Sequence, residues 1–465
     1  MILSGTKKSL PKEKKTALSP SMIIVLGFIA VIFIGGTLLL FPFSRADGQF
    51  APWSEVIGTY FTAVSATCVT GLVAFDTAAA WSTAGQIIIL LMIQTGGLGF
   101  MTMSVVFSII VNRKISAREK NVIAQSMNLS GTSGLTKLMK KVLIGTLVIE
   151  AVGALILFLR FLNYFPAKTA LYYGIFHSVS AFCNAGFDLL GNFGGQFSSM
   201  ASMNGDFIVL MTISLLIIIG GIGFYVWDDL YDYFRRRNPL SVYSRFVLII
   251  TGMLIIFGTA AFFVIEYSNP ATLGEMGFFK KLLNAYFQSV TCRTAGFDAI
   301  GSGNMRSAGM MMSIILMFIG GCSGSTAGGV KVSTVGLMFY TIWFVIRGKT
   351  VIQLGKRTVS YGDILRAMAI IVLAMIFVFT SAFIISLTVE TDSFIPILFE
   401  TVSAFATVGL SAIGTPSLSG FAMIILASLM FLGRVGILTV TYSLLYKLGS
   451  SENTIKRPEA RMLIG

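Results

Sequence analysis

Charged residues are scarce in this sequence, since only 12% of its 465 residues are Asp, Glu, Lys or Arg. A soluble chain of this length carries about a quarter. Hydrophobic residues make up 55% of the chain. This balance excludes an ordinary soluble globular protein and indicates that lipid is the main solvent of the surface.

Residues that bind metals or carry acid–base chemistry are also few. The chain has one histidine, His177, and four cysteines that form no CxxC pair. Glu150, Asp206 and Glu266 are scattered near helix ends, and neither an HExxH motif nor a paired-carboxylate motif typical of an active site occurs. We therefore expect no disulfide framework, no enzyme and no cofactor bound by this chain.

Eight long apolar segments recur along the chain, each long enough to cross a bilayer. They lie near residues 21–41, 84–111, 141–162, 206–230, 244–267, 308–346, 366–389 and 420–446. A shorter, semi-polar segment of helical character lies between the members of each pair, at 53–66, 167–181, 279–291 and 394–404. The pattern predicts an all-α membrane protein with eight transmembrane helices and four short helices that do not cross.

Basic residues cluster in the segments that connect the pairs. The region before the first apolar segment, the loops 112–141, 231–245 and 347–366, and the tail from Lys447 hold 25 of the 34 Lys and Arg. Because Lys and Arg gather in cytoplasmic loops, both termini are predicted to be cytoplasmic and the short helices to lie on the outer side. The net charge of +14 then reflects orientation in a plasma membrane, and we expect no nucleic-acid partner.

Each short helix ends in a polar loop closed by a glycine. Aligned on that glycine, the loops read SATCVTG, SAFCNAG, VTCRTAG and SAFATVG, and they end at Gly71, Gly186, Gly296 and Gly409. Two crossings per unit keep the units in one orientation, and parallel repeats are related by an axis along the membrane normal. We predict four re-entrant pore helices in repeats with pseudo-fourfold symmetry. The predicted boundaries are 1–20 for a basic segment, 21–111, 112–230, 231–346 and 347–448 for the repeats, and 449–465 for a cytoplasmic tail.

Four such loops around one axis can replace the hydration shell of a monovalent cation. Non-helical backbone at membrane depth is tolerated where it lines a water-filled cavity, and carbonyl oxygens are the ligands that dehydrate K+. A glycine that merely ends a helix would explain one copy of the motif but not four. The predicted filter residues, which bind K+ through their carbonyls, are Cys68, Val69, Thr70, Gly71, Cys183, Asn184, Ala185, Gly186, Arg293, Thr294, Ala295, Gly296, Ala406, Thr407, Val408 and Gly409.

Residues 320–329 interrupt the sixth apolar segment with five glycines among small polar side chains. Such a stretch cannot form a stable continuous helix, so we predict a mobile gating loop at 319–330. A glycine-rich kink for close helix packing is the alternative. The predicted gate residues are Gly320, Gly321, Cys322, Ser323, Gly324, Ser325, Thr326, Ala327, Gly328, Gly329, Lys331 and Arg434.

Two cations belong to this predicted gate. Arg434 lies in an apolar helix, where a charge at the bilayer centre costs about 2.5–3.5 kcal/mol, so we expect it to face the protein interior. There it either raises a barrier below the filter and pairs with the loop, or satisfies the carbonyls of a broken helix. Lys331 either holds the loop through a salt bridge or points into the cytoplasmic vestibule.

Other polar residues near the loops are expected to brace them. Asp188 and Asp298, which follow the second and third loops, are expected to cap backbone amides rather than to attract cations. Arg293 is expected to point away from the axis, since a cation there would repel K+. His177 and Glu400 occupy the same register of two short helices and are expected to form hydrogen bonds behind the filter.

The motifs CRTAGFD at 292–298 and GCSGSTAGG at 321–329 resemble the Trk/Ktr/HKT superfamily of K+ transporters. The resemblance runs from about residue 21 to the C-terminus. No additional helix pair precedes the first unit, so the chain is most similar to the bacterial Ktr membrane subunit. In HKT-type relatives a serine in the first loop's glycine position accompanies Na+ preference, so Gly71 implies K+.

The resemblance also implies an assembly and a mode of transport. It implies channel-like K+ uptake, a homodimer of pore subunits, and a cytosolic ring of nucleotide-binding regulatory subunits of RCK type. Any nucleotide would bind to that partner, because no GxGxxG follows a strand in this chain. The alternative is a K+ symporter coupled to Na+ or H+, which would need a titratable group in the path.

Overall fold

The computed structural model describes residues 20–99, 135–349, 351–354, 357–389, 393–437 and 439–440. Helices dominate these residues. In chain order they are α1 (Pro20–Leu39), α2 (Val56–Cys68), α3 (Thr83–Leu98), α4 (Leu135–Phe161), α5 (Ala167–Phe182), α6 (Phe207–Gly221), α7 (Phe224–Arg236), α8 (Val242–Glu266), α9 (Phe278–Thr291), α10 (Ser307–Phe318), α11 (Val332–Ile346), α12 (Tyr361–Ser386), α13 (Phe394–Phe405) and α14 (Gly420–Val435).

Short elements connect these helices. They are the single-turn helices Thr77–Ala80 and Gly191–Gly194, the 3-10 helices Pro42–Ser44, Trp53–Glu55, Ser199–Met203, Ser302–Asn304 and Thr415–Ser417, and the antiparallel strands β1 (Gln353–Leu354) and β2 (Arg357–Thr358). The predicted basic segment before residue 20 and the predicted tail lie outside the described residues. So do residues 100–134, which join the first two predicted repeats.

Each predicted repeat begins with a long apolar helix, followed by a short helix, a loop and a second apolar helix. The long helices α1, α4, α8 and α12 are long and apolar enough to cross a membrane. Large apolar side chains such as Met253, Ile256 and Val264 on α8 are 63–75% exposed, as expected for a surface in contact with lipid. Within the described residues, α6 and α7 together make a possible fifth span, and the predicted total of eight stays a prediction.

Serine and aspartate set the start of many helices. Ser82, Ser241, Ser360 and Ser419 each accept a backbone N–H three residues further on, which caps α3, α8, α12 and α14. Asp206 caps α6 in the same way. Each cap satisfies an N–H that no helix carbonyl can reach, so these polar residues locate helix ends within apolar sequence.

The second apolar helices break at the glycine clusters. Helices α3, α6 and α14 end next to Gly99, Gly223 and Gly436, whose φ angles are +83°, +93° and +94°. The segment predicted at 206–230 is therefore two helices rather than one, and the break within 308–346 falls where residues 320–329 are predicted to be non-helical. Helix α7 turns by 98° from α6, and the chain between α10 and α11 leaves helical geometry altogether.

Candidate functional site

The loops after α2, α5, α9 and α13, here called loops 1 to 4, share an unusual backbone. Loops 1 to 4 comprise residues 68–71, 183–186, 293–296 and 406–409. In each, the residue two before the final glycine has positive φ: Val69 (58°), Asn184 (60°), Thr294 (68°) and Thr407 (52°). A β-branched residue in this region is a genuine outlier. Such strain persists only where the surroundings over-determine the conformation, and here it recurs at one position of all four loops.

The final glycines Gly71, Gly186, Gly296 and Gly409 also have positive φ, and they form a closed ring, here called the glycine ring. A Cβ placed on Gly71 would lie 2.6 Å from the Ala185 carbonyl oxygen, and one on Gly186 would lie 2.6 Å from that of Ala295. A Cβ on Gly296 would collide with the Val408 carbonyl, and one on Gly409 with the Thr70 carbonyl. Four loops thus meet in cyclic order around one axis, with a backbone carbonyl between each pair of glycines.

Hydroxyl groups at the ends of the short helices hold these loops from behind. Ser65 and Ser403 accept the N–H of Gly71 and Gly409 at 3.0 and 3.1 Å. Ser180 and Thr291 instead donate to the carbonyls of Phe187 and Phe297, both at 2.7 Å. These four hydroxyls are buried, so each loop is fixed by a short, water-shielded hydrogen bond.

His177 and Glu400 lie behind loops 2 and 4. The Leu189 N–H donates to His177 Nε2 at 3.2 Å. Glu400 accepts from the hydroxyls of Ser411 and Thr415, the latter at 2.7 Å. The sequence reasoning missed a third such residue, Gln288, whose side-chain amide lies 3.5 Å from the Ser302 hydroxyl behind loop 3. Gln288 lies one residue nearer to the final glycine of its loop than His177 and Glu400 do. A comparison of equivalent positions in the aligned short helices therefore does not include it.

The acidic residues after the loops cap backbone, and Arg293 points outward. Asp188 accepts the Leu190 N–H at 3.0 Å, and Asp298 accepts three successive amides at residues 300–302. The Arg293 guanidinium donates to the Thr251 carbonyl on α8 at 3.2 Å, away from the glycine ring. These contacts match the bracing roles expected from the sequence. Arg293 is a predicted filter residue, and its side chain points away from the other loops, so that only its backbone belongs to loop 3.

Glycines of the second helices pack directly on the ends of the short helices. A Cβ on Gly96, Gly220 or Gly433 would overlap the carbonyl of Thr67, Phe182 or Phe405, each four residues before a ring glycine. Gly320 of the third repeat instead meets the Gly328 carbonyl and the Thr294 methyl. The glycine clusters therefore allow close backbone approach in three repeats. In the third repeat, the chain between α10 and α11 takes that place.

This chain segment, residues 319–331, lies against the inner side of the loops. Its ends are joined by hydrogen bonds from the Gly320 N–H to the Val330 carbonyl at 2.9 Å and from the Val332 N–H to the Gly321 carbonyl at 3.0 Å. In its middle, the Thr326 hydroxyl lies 3.2 Å from the Phe182 carbonyl and 3.1 Å from Asn184 Oδ1 in loop 2. The segment is thus docked under loop 2 without being part of a helix.

The two predicted gate cations bind carbonyls rather than carboxylates. Arg434 donates to the Thr326 carbonyl, to that of Gly96 and, at 2.9 Å, to that of Gly97. Arg434 therefore contacts the 319–331 segment and satisfies carbonyls at the broken end of α3, whereas the barrier considered for it stays a prediction. The Lys331 ammonium donates to the Ala327 carbonyl at 2.6 Å, so the salt bridge considered for it is not formed within the described residues.

A cavity of about 220 Å³ opens below the 319–331 segment. Lys331 and Arg434 line the cavity together with glycines that expose their backbone, such as Gly97, Gly329 and Gly436. Among its described lining residues there is no carboxylate. The charged side chains among the described lining residues of the cavity are therefore both cations.

Comparisons with known proteins agree with this architecture. The TrkH model, described as a cation transport protein, matches residues 2–454. The chain belongs to the TrkH family of cation transport proteins. Relatives include the potassium/sodium uptake protein NtpJ of Enterococcus hirae, 38% identical over 98% of this chain and 99% of that protein. The Ktr system potassium uptake protein B of Bacillus subtilis is 36% identical over 96% of this chain and 97% of that protein.

The TrkH-family fold is supported independently by a solved structure. The potassium transporter TrkH from Vibrio parahaemolyticus superposes with a TM-score of 0.68 at 15% identity, over 95% of this chain and 86% of that chain. At this identity the likeness establishes the fold alone. The family resemblance predicted from the loop motifs is confirmed, and the chain is a multi-pass membrane protein of a transporter family rather than of an enzyme family.

Proposed function

We propose that this TrkH-family protein takes up K+ by channel-like permeation through the glycine ring and the carbonyls of loops 1 to 4. The observation that carries the proposal is the closed ring itself, in which a carbonyl lies between each pair of neighbouring glycines. Four loops with the same backbone angles offer a dehydrating cation equivalent oxygens from four directions. The name of the Bacillus relative gives potassium and that of the Enterococcus relative gives potassium and sodium, so both include the proposed substrate K+.

We further propose that residues 319–330, with Lys331 and Arg434, form the gate. The segment is docked below loop 2 by the Thr326 hydroxyl, whose single proton is shared between the Phe182 carbonyl and Asn184 Oδ1, and it is held from the cavity side by Arg434. Two positive side chains next to a narrow path raise the electrostatic energy of a cation inside it. The repulsion is stronger than in water because the surrounding protein has a low dielectric constant. Displacing the segment would remove the obstruction and shift Arg434 with it.

The partners are proposed from the relatives' names and the family resemblance. Two relatives are called components of a Ktr system, which supports a second component. We propose a homodimer of pore subunits on a cytosolic, nucleotide-binding ring of RCK type. With cytoplasmic termini, the cavity below the 319–331 segment would open toward that ring.

The proposal is tested by uptake into cells that lack their own K+ uptake. The parent chain, with its regulatory subunit supplied, is expected to restore growth at low K+, whereas Gly71→Ser should weaken the preference for K+ over Na+. A Cβ at Gly71 would crowd the Ala185 carbonyl and strain a backbone with φ of +98°, which displaces a ligand oxygen.

Gly195→Ser is the matched control. Gly195 has φ of +99°, but nothing lies within 4 Å of a Cβ placed there. It therefore carries the same backbone strain without the crowding and should keep the K+ preference. A parent that moves no K+, or a Gly71→Ser variant with unchanged selectivity, would contradict the role of the glycine ring.

A further inference from the structure

Helix α7 lies at the cytosolic end of its neighbours and runs across them. It turns by 98° from α6, so it is nearly perpendicular to that apolar helix. Its Asp229 accepts, at 2.9 Å, the N–H of Ser241, the residue that caps α8. Its Asp228 pairs with Lys141 near the start of α4. Two long helices thus fix α7 at the level where, by the charge-based topology, they enter the membrane from the cytoplasm.

The charges of α7 are divided between protein contacts and an exposed end. Asp228 and Asp229 face α4 and α8, and Asp232 lies 3.6 Å from Arg236 in the next turn. Arg235 and Arg237 are exposed, and no ion pair of either is found within the described residues. The acidic side chains are therefore bound within the protein, by a cation at Asp228 and Asp232 and by a backbone N–H at Asp229, whereas the exposed end of the helix carries arginines.

Aromatic side chains accompany this positive end. Phe234 is 79% exposed and Tyr231 is 53% exposed, the latter with the Lys141 ammonium 5.0 Å from its ring centroid. A helix parallel to the membrane that combines exposed aromatic rings with arginines is typical of binding at the lipid headgroup level. Arginines next to a membrane surface are attracted to its anionic lipids.

The other end of α7 is bonded to the 319–331 segment. The Phe224 N–H donates to the Gly324 carbonyl at 2.8 Å, and the Cys322 N–H donates to the Gly221 carbonyl at 2.9 Å. A Cβ on Gly223 would lie 2.8 Å from the Ser323 carbonyl, so this junction is closely packed. One short helix therefore joins the exposed arginines to the proposed gate.

We propose that Arg235, Arg236 and Arg237 bind anionic phospholipid headgroups of the cytoplasmic leaflet, and that this contact stabilises the docked position of the 319–331 segment. The regulatory part of this inference rests on the proposed gate. Lipid that holds α7 in the observed position favours the state in which Phe224 is bonded to Gly324. Anionic lipid is thus expected to lower cation flux.

Flux is measured with the purified full chain in vesicles of phosphatidylcholine alone or mixed with phosphatidylglycerol. Rb+ flux of the parent should be about threefold or more lower in the anionic vesicles, and R235Q/R236Q/R237Q should remove the difference. The control R347Q/K349Q neutralises two other exposed cations, at the end of α11, and should respond like the parent. Equal parent flux in both vesicles, or a triple variant that keeps the drop, would overturn the regulatory role.

Binding is measured separately, so that it does not depend on transport. Fluorescent phosphatidylglycerol should bind the detergent-solubilised triple variant about threefold or more weakly than the parent, with phosphatidylcholine as the reference. Equal binding of phosphatidylglycerol by the parent and the triple variant would overturn the lipid site, and a cytosolic protein would then be the expected partner of this surface. If inorganic phosphate reproduced the flux decrease in neutral vesicles, a free anion would replace lipid as the ligand. A parent that moves no Rb+ in either vesicle contradicts the proposed function, and the binding assay still decides the lipid site.

Discussion

Individual residues of loops 1 to 4 contribute mainly through their backbone conformation. Val69, Thr294 and Thr407 hold left-handed angles that cost about 1–2 kcal/mol for a residue with a Cβ. Hydrogen bonds of the loop offset this strain, for example from the Thr70 N–H to the Ser65 carbonyl at 2.8 Å. Side-chain identity at these positions matters less than the angle, which explains why valine, asparagine and threonine share one role.

Arg434 provides a test at the same scale. Gln in its place removes the positive charge from the cavity but can still donate to one carbonyl. We expect cation flux to rise about threefold or more because the repulsion is lost. We also expect stability to fall by about 1–3 kcal/mol, since carbonyls of Thr326, Gly96 or Gly97 lose a donor. Flux and thermal unfolding of the purified chain measure the two effects.

The control for this substitution is Arg245→Gln. Arg245 is an exposed cation near the start of α8 and is not among the described residues that line the cavity. It should leave both flux and unfolding temperature near the parent values. An Arg434→Gln variant with parental flux would show that this charge is structural only.

Among the elements, the 319–331 segment is non-helical and contacts loop 2 through one hydroxyl, that of Thr326. Thr326→Val keeps the side-chain shape but removes the hydroxyl that bonds the Phe182 carbonyl and Asn184. We expect the open probability in single-channel recordings to rise about fivefold, because the loss of one buried hydrogen bond costs about 1 kcal/mol.

Thr341→Val is the matched control for this element. The Thr341 hydroxyl bonds only the Leu337 carbonyl within α11, at 2.8 Å, so the same substitution there leaves the segment docked. It should leave the open probability unchanged. A lower open probability in Thr326→Val would contradict the proposal that this segment obstructs the path.

At the scale of the whole molecule, we propose passive permeation rather than coupled transport. The described residues of the glycine ring and of the cavity below it include no carboxylate that could exchange a proton or hold Na+. In vesicles, Rb+ should therefore accumulate only to the level that the membrane potential sets. Accumulation beyond that level when a Na+ or H+ gradient is imposed would favour the symporter alternative.

The amino-acid sequence by itself determined the family, the four loops and their closing glycines, because these depend on local composition and on one motif repeated four times. It also indicated that Asp188, Asp298 and Arg293 would brace loops, since a pore for cations leaves these charges few other positions. Such inferences need no distance between remote residues.

Only the tertiary structure decided how remote segments meet. The left-handed angle of Val69 and Thr407 is not encoded by their residue types, which favour extended backbone. The breaks beside Gly99, Gly223 and Gly436 follow from carbonyls of the short helices that press on the second helices. Arg434 and Gly97, which are 337 residues apart in the chain, become bonded because the first and fourth repeats close the ring.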